Sequence, residues 1–161
     1  IQIPDKNGNL ISRWYFFDAK STMVTGWLQD PSTKNWYYMN TAKGEFEGQM
    51  VHGWVFDGNT NLWYYMDENN GALTKGWHRD SQDGRWYYLH LTSGAMYTGW
   101  NNIDGKWYFF NYHTPKWTWE MRNDGEWYYK NLENSRPLGS MYENEKTPDG
   151  FLVNANGERI Q

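Results

Sequence analysis

The chain has 161 residues and a formal charge of −4, with hydrophobic residues at 39% and aromatic residues alone at 20%. That charge, with Lys and Arg scattered singly, excludes the basic footprint that nucleic acid or an anionic membrane surface requires. Cysteine is absent, which removes disulfides and cysteine-based zinc sites, and no apolar run nears the roughly 20 residues that span a bilayer.

Aromatics supply about half of the hydrophobic content, and 12 residues are Trp, while Leu, Ile and Val are sparse. A single core normally leans on aliphatic side chains. Internal repetition is the better expectation, since each unit then packs only on its neighbours.

In chain order, a leading segment 1–13 opens at "IQIPDKNGNL" without a signal peptide, as expected of a mature chain or a fragment. The triplet Trp14-Tyr15-Phe16 follows. A Gly-Trp pair then recurs at Gly26-Trp27, Gly53-Trp54, Gly76-Trp77 and Gly99-Trp100. Each pair precedes a Trp-aromatic-aromatic triplet, at Trp36-Tyr37-Tyr38, Trp63-Tyr64-Tyr65, Trp86-Tyr87-Tyr88 and Trp107-Tyr108-Phe109. Four residues before each paired Trp stands Met23, Met50, Leu73 or Met96. A trailing triplet, Trp127-Tyr128-Tyr129, follows a divergent stretch that holds Trp117 and Trp119 where one Gly-Trp is expected. From Asn131 to Gln161 the repeat is lost.

Trp, Tyr and Phe favour strands, and the pieces between pair and triplet ("DPSTKN", "DGNTN", "DSQDG", "NIDG") are hairpin connections. No segment carries a helical period. A lone hairpin is marginal in water, so the predicted architecture is an all-β solenoid of stacked hairpins with no significant helix. The expected organisation is a leading segment 1–13, repeats over 14–130 and a cap over 131–161, since terminal repeats are atypical.

Side chains alternate along a strand, so Trp86 and Tyr88 share one face and Tyr87 takes the other. The separations from paired Trp to triplet Trp are all odd, which allows both indoles onto one hairpin face. Such rings can simply be core, and that is the reading favoured for Tyr15, Tyr37, Tyr64, Tyr87 and Tyr108. For the Trp pairs, the insistence on Trp in four units favours a need for a large π face. Two or three such faces hold a quaternary ammonium group, which cannot hydrogen-bond, and a Met adds a polarizable wall.

The Gly-Trp, turn, Trp-Tyr-Tyr pattern followed by Gly-Ala-Met-x-Thr-Gly-Trp resembles the choline-binding, or cell-wall-binding, repeat of Gram-positive surface proteins and lysins. The likeness runs from about Trp14 to Tyr129 and is most specific over Gly71 to Phe110. It implies a hairpin superhelix in which choline of teichoic acids sits between consecutive hairpins. Two aromatics of one repeat, one of the next, and often a Met or Leu would hold it. Carried over, the sites are Trp27, Trp36, Tyr65 and Met50; then Trp54, Trp63, Tyr88 and Leu73; then Trp77, Trp86, Phe109 and Met96. A fourth pair, Trp100 and Trp107, would draw on Met121 and Tyr129.

His52, His78, His90 and His113 share no metal-ligand spacing, the acidic residues fall in predicted turns, and no nucleophile or phosphate motif occurs. The reading is a non-catalytic, cofactor-free binding module, extracellular and wall-associated, fused to another domain. The alternatives are a glucan-binding repeat that stacks sugars on the same rings and a purely structural spacer.

Overall fold

The computed structural model describes residues 2–4, 8, 10–112, 117–121, 127–131 and 136–160, with the backbone course alone at 2–4, 10–11, 117–121 and 127–131. Among the described residues twelve strands form six two-stranded antiparallel sheets, each joining consecutive strands. They are β1 (Gln2–Pro4) with β2 (Leu10–Ser12), β3 (Gly26–Gln29) with β4 (Trp36–Met39), and β5 (Gly53–Asp57) with β6 (Leu62–Met66). β7 (Gly76–Arg79) pairs with β8 (Trp86–Leu89), β9 (Gly99–Ile103) with β10 (Lys106–Phe110), and β11 (Trp117–Met121) with β12 (Trp127–Asn131). No helix occurs among the described residues, so the all-β expectation is borne out.

The turn chemistry explains the hairpins. Asp30, Asp57 and Asp80 each fold a carboxylate onto the backbone ahead, accepting from the N–H of Ser32 and Thr33, of Asn59, and of Gln82 and Asp83 respectively. Asn61 and Gly84, at φ 56° and 70°, turn the chain into the return strand. Asp104-Gly105, at φ 52° and 82°, makes the two-residue turn that brings Ile103 opposite Lys106.

The chain divides into two compact units, residues 1–75 with 91–95, and residues 76–90 with 96–161. Within each, one rung recurs. The residue after a triplet pairs with the Met or Leu of the next link: Met39 with Met50 and Met66 with Leu73 in the first unit, Leu89 with Met96 in the second. A glycine two residues before that Met or Leu donates its N–H to the start of the link, as Gly48 to Asn40 and Gly71 to Asp67, both at 2.8 Å. The stretch Ala42–Glu47, longer than other links, leaves this rung intact; it is held by a Lys43–Glu47 ion pair and by Arg13 over Phe46 at 4.7 Å.

In the second unit the rung after β10 is made by Gly139, whose N–H donates to Asn111 at 2.7 Å, and by Met141 opposite Phe110. The hairpin β11–β12 therefore lies within the link, between Asn111 and Gly139, and the ladder resumes beyond it. Buried Tyr38, Val55, Tyr64 and Met66 form the core of the first unit, and Tyr88, Ile103, Tyr108, Phe110 and Met141 that of the second.

Candidate functional site

Each hairpin sets its paired Trp opposite its own third triplet residue: Trp27 against Tyr38, Trp54 against Tyr65, Trp77 against Tyr88 and Trp100 against Phe109. The first triplet Trp falls two residues along the same face, so the two indoles are diagonal neighbours. Trp27 and Trp36 have centroids 6.4 Å apart at 83°, and Trp77 and Trp86 6.2 Å apart at 89°. The odd separation led to this arrangement correctly.

The third ring comes from the middle of the next triplet. Tyr64 meets Trp27 at 4.8 Å and 77°, and Tyr108 meets Trp77 at 4.9 Å and 73°. Tyr64 and Tyr108 are buried core, 6% and 9% exposed, as the sequence predicts for the middle residues, and they line the pocket as well; the resemblance predicts Tyr65 and Phe109 as its third rings. Instead Tyr65, Tyr88 and Phe109 are 5%, 7% and 2% exposed and pack under the Trp of their own hairpin, with centroids 5.0–5.1 Å apart. Alternation was right, but the face opposite the Trp pair is the one turned to the preceding hairpin.

The apolar wall is displaced in the same sense. The N–H of Met50 donates to the carbonyl of Trp14, that of Leu73 to Trp36 and that of Met141 to Trp86, each at 2.8 Å. Leu73 therefore closes the pocket of Trp27, Trp36 and Tyr64, beside Thr92 and Ser93 in a cavity of about 380 Å³. Met141 closes that of Trp77, Trp86 and Tyr108, with Glu143 at its rim and a cavity of similar volume. Met50, expected with Trp27, instead lines a cavity of about 440 Å³ with Trp14, Tyr37, Asp30 and Asn69, which has no Gly-Trp ring. Met96, expected with Trp77, pairs with Leu89 and lies beneath Gly139.

Trp54 and Trp63 hold the equivalent places on β5 and β6, where Trp63 packs on Phe56 at 5.4 Å. Trp100 and Trp107 do so on β9 and β10. The side chains of Met121 and Tyr129 lie outside the described residues.

The ring faces carry no charge, and the acidic residues that line the cavities are Glu143 beside Trp77 and Trp86 and Asp30 beside Trp14. Burial, then the nearby Glu158 carboxylate, pushes the Tyr108 phenol up, so its ring stays neutral. Trp27 is aimed by its indole N–H, which donates to the Asp57 carboxylate at 3.0 Å. Among the described residues no group of His, Asp or Glu is placed to hold a metal ion, and no helix is long and apolar enough to cross a membrane.

The missed residues are Tyr64, Tyr108 and Met141. Gly139-Ser140-Met141 repeats Gly94-Ala95-Met96 and Gly71-Ala72-Leu73, so Met141 had a signal, masked by the inserted hairpin.

The cell wall binding repeat of choline-binding proteins matches the chain over residues 25–42, 52–73, 75–96 and 98–112. Among solved structures, CbpF in complex with ipratropium is 34% identical with a TM-score of 0.54, covering 98% of this chain and 44% of the other. Choline binding protein F from Streptococcus pneumoniae with a peptidoglycan analogue is 34% identical, with a TM-score of 0.53 over 96% of this chain and 48% of the other. CbpJ from Streptococcus pneumoniae TIGR4 is 35% identical, with a TM-score of 0.53 over 99% and 47%. The chain thus spans less than half the length of these relatives. No curated protein matches it.

Proposed function

The chain belongs to the choline-binding, or cell-wall-binding, repeat family, and from that premise we propose that its aromatic pockets hold the quaternary ammonium of choline borne by a wall polymer. The carrying observation is the set of three rings, two near-perpendicular indoles and a phenol ring, around one cavity in each unit: Trp27, Trp36 and Tyr64 with Leu73, and Trp77, Trp86 and Tyr108 with Met141. A trimethylammonium group makes no hydrogen bond and is attracted by ring quadrupoles, and a Leu or Met wall suits its methyls. Trp54 and Trp63 hold the same positions of their own hairpin.

Each desolvated cation–π contact contributes roughly 1–2 kcal/mol, so a three-ring pocket binds one choline at about millimolar strength once ordering costs are met. Repetition supplies the rest, since several pockets on one polymer gain avidity on the order of 10² or more. On this reading the chain is non-catalytic, extracellular and wall-associated, belongs beside another domain in a longer protein, and is closed by residues 131–161.

Titration with choline changes the Trp fluorescence saturably in the millimolar range, while an isomaltose-type glucan oligomer run in parallel has no effect. Trp86→Ala removes one site of those counted by equilibrium dialysis. A response to the glucan alone moves the function to sugar recognition, and silence with both leaves the rings as core.

The register shift is testable in its own right. Tyr108→Leu removes the Trp77 site, whereas Phe109→Leu, which changes a ring packed under Trp100, leaves choline stoichiometry unaltered. Loss of a site in Phe109→Leu alone would restore the original assignment.

A further inference from the structure

The rung that walls each pocket has one departure. Where Met50, Leu73 and Met141 donate to Trp14, Trp36 and Trp86, the N–H that reaches the carbonyl of Trp107, also at 2.8 Å, belongs to Arg159. Arg159 stands two residues after Gly157, as Met141 stands two after Gly139. It therefore holds the wall position of the Trp100–Trp107 pair, with a cation in place of a thioether or an isobutyl group.

The surroundings fix that cation on rings. The guanidinium lies 3.8 Å from the centroid of Phe151 and 5.6 Å from that of Trp100, and the two rings meet edge-on at 5.8 Å and 84°. Trp100 is aimed as Trp27 is: its indole N–H donates to Asp149 at 2.8 Å, and Asp149 accepts in turn from the Thr147 hydroxyl at 2.6 Å. The strand bearing Arg159 is held by pairing of Tyr108 with Glu158 and by the Lys106–Glu158 ion pair. Arg79 also lies over an indole, 5.9 Å from Trp86, but it projects from that hairpin's own register and does not line the cavity.

We infer that Arg159 is the built-in occupant of the last aromatic pocket, its guanidinium taking the place on Trp100 and Phe151 that a quaternary ammonium ligand would take. This rests on the other pockets being choline sites. A tethered cation is present at high effective concentration and needs no free ligand, so it outcompetes a group bound at about millimolar strength. The array of open pockets thus ends at Trp77, Trp86 and Tyr108, and Trp100 with Trp107 makes a closed terminal one. Replacing Arg159 by the residue found at the same rung, Leu, opens a further site for a quaternary ammonium ion.

Choline bound per chain, counted by equilibrium dialysis, decides the matter. Arg159→Leu binds one choline more than the parent chain, and Trp100→Leu binds the same number as the parent. A folded Arg159→Leu with no added site, or a Trp100→Leu that loses one, overturns the inference. Should Arg159→Leu fail to fold, as its far-UV circular dichroism would reveal, Trp100→Leu decides alone. If the parent chain binds no choline, the function proposed above fails by itself. The NMR shifts of the Arg159 δ-methylene protons then report whether its head group occupies the pocket. They lie upfield under the ring currents of Trp100 and Phe151, and they move part of the way to ordinary values in Trp100→Leu, which leaves Phe151 in place, if the placement is right.

Discussion

Gly94→Ala destabilises the chain by about 2–5 kcal/mol and weakens the pocket of Trp27, Trp36 and Tyr64, although it adds only one methyl group and alters no ring. Gly94 has φ +77°, where an L residue pays about 1–2 kcal/mol. A Cβ there would also stand 2.7, 2.8 and 2.9 Å from both methyls and the Cγ of Leu73. A branched side chain cannot swing all three atoms aside, and overpacking of that kind costs roughly 1–3 kcal/mol more. Leu73 is the apolar wall of the cavity, so its displacement is felt by the ligand. Gly84→Ala is the control: φ is +70° but nothing lies within 4 Å of the new Cβ, so only the backbone cost of about 1–2 kcal/mol remains. Urea titrations of the two variants that coincide would show that the close approach to Leu73 contributes nothing. The approach recurs at Gly48 on Met23, Gly71 on Met50, Gly139 on Met96 and Gly157 on Met141, which is why glycine stands two residues before Met50, Leu73, Met96 and Met141.

How much of this was readable follows from which distances the chemistry spans. Hairpins, turns and the diagonal Trp pairs are matters of neighbours within about a dozen residues, and strand propensity, Asp-Gly turns and odd spacing settle them. Trp77 beside Trp86 is such a case. Which face of β6 or β10 turns to the preceding hairpin is decided by packing across the link, where local alternation is silent. Tyr64 and Tyr108 are therefore legible as core, which they are, but not as rings that also line the pocket. The offset of the wall residue has the same origin: Leu73 serves Trp36 through a backbone bond that crosses a whole hairpin. Around β11 and β12 a local likeness misled, because Trp127-Tyr128-Tyr129 has the composition of a repeat triplet and pairs as a hairpin. The continuing rung runs from Asn111 to Gly139, outside it. Arg159 could have been read by aligning Gly157 with Gly139 and Gly94, but only once Met141 was known to belong to the series.

Asp57→Ala costs about 3 kcal/mol and removes one part of the parent chain's loss of stability in acid. Asp57 is 2% exposed, yet its carboxylate is fully engaged: it accepts from the indole of Trp27 at 3.0 Å, the N–H of Asn59 at 3.0 Å and the Thr60 hydroxyl at 3.2 Å. Burial pushes the carboxyl up, but the hydrogen bonds from Trp27, Asn59 and Thr60 together outweigh it and leave the group below its ordinary value of 3.8. A depressed pKa means the folded state prefers the ionised form. The contribution is thus complete above the ordinary carboxyl range and drains away as the pH falls through the lower, folded value. In the Ala variant that part of the acid slope is missing, and the indole N–H and the turn donors are left unpaired, at about 1–3 kcal/mol for a buried donor. Because Trp27 is one wall of its pocket, choline at that site weakens, while the site of Trp77, Trp86 and Tyr108 keeps its affinity. Asp57→Asn retains an acceptor for the indole but not the charge, so it restores the pocket and not the acid dependence. Thermal melts of the three chains from neutral pH to pH 3, with choline counted at neutral pH, separate the two roles. An Asn variant that follows the parent in acid would assign the slope to other carboxylates.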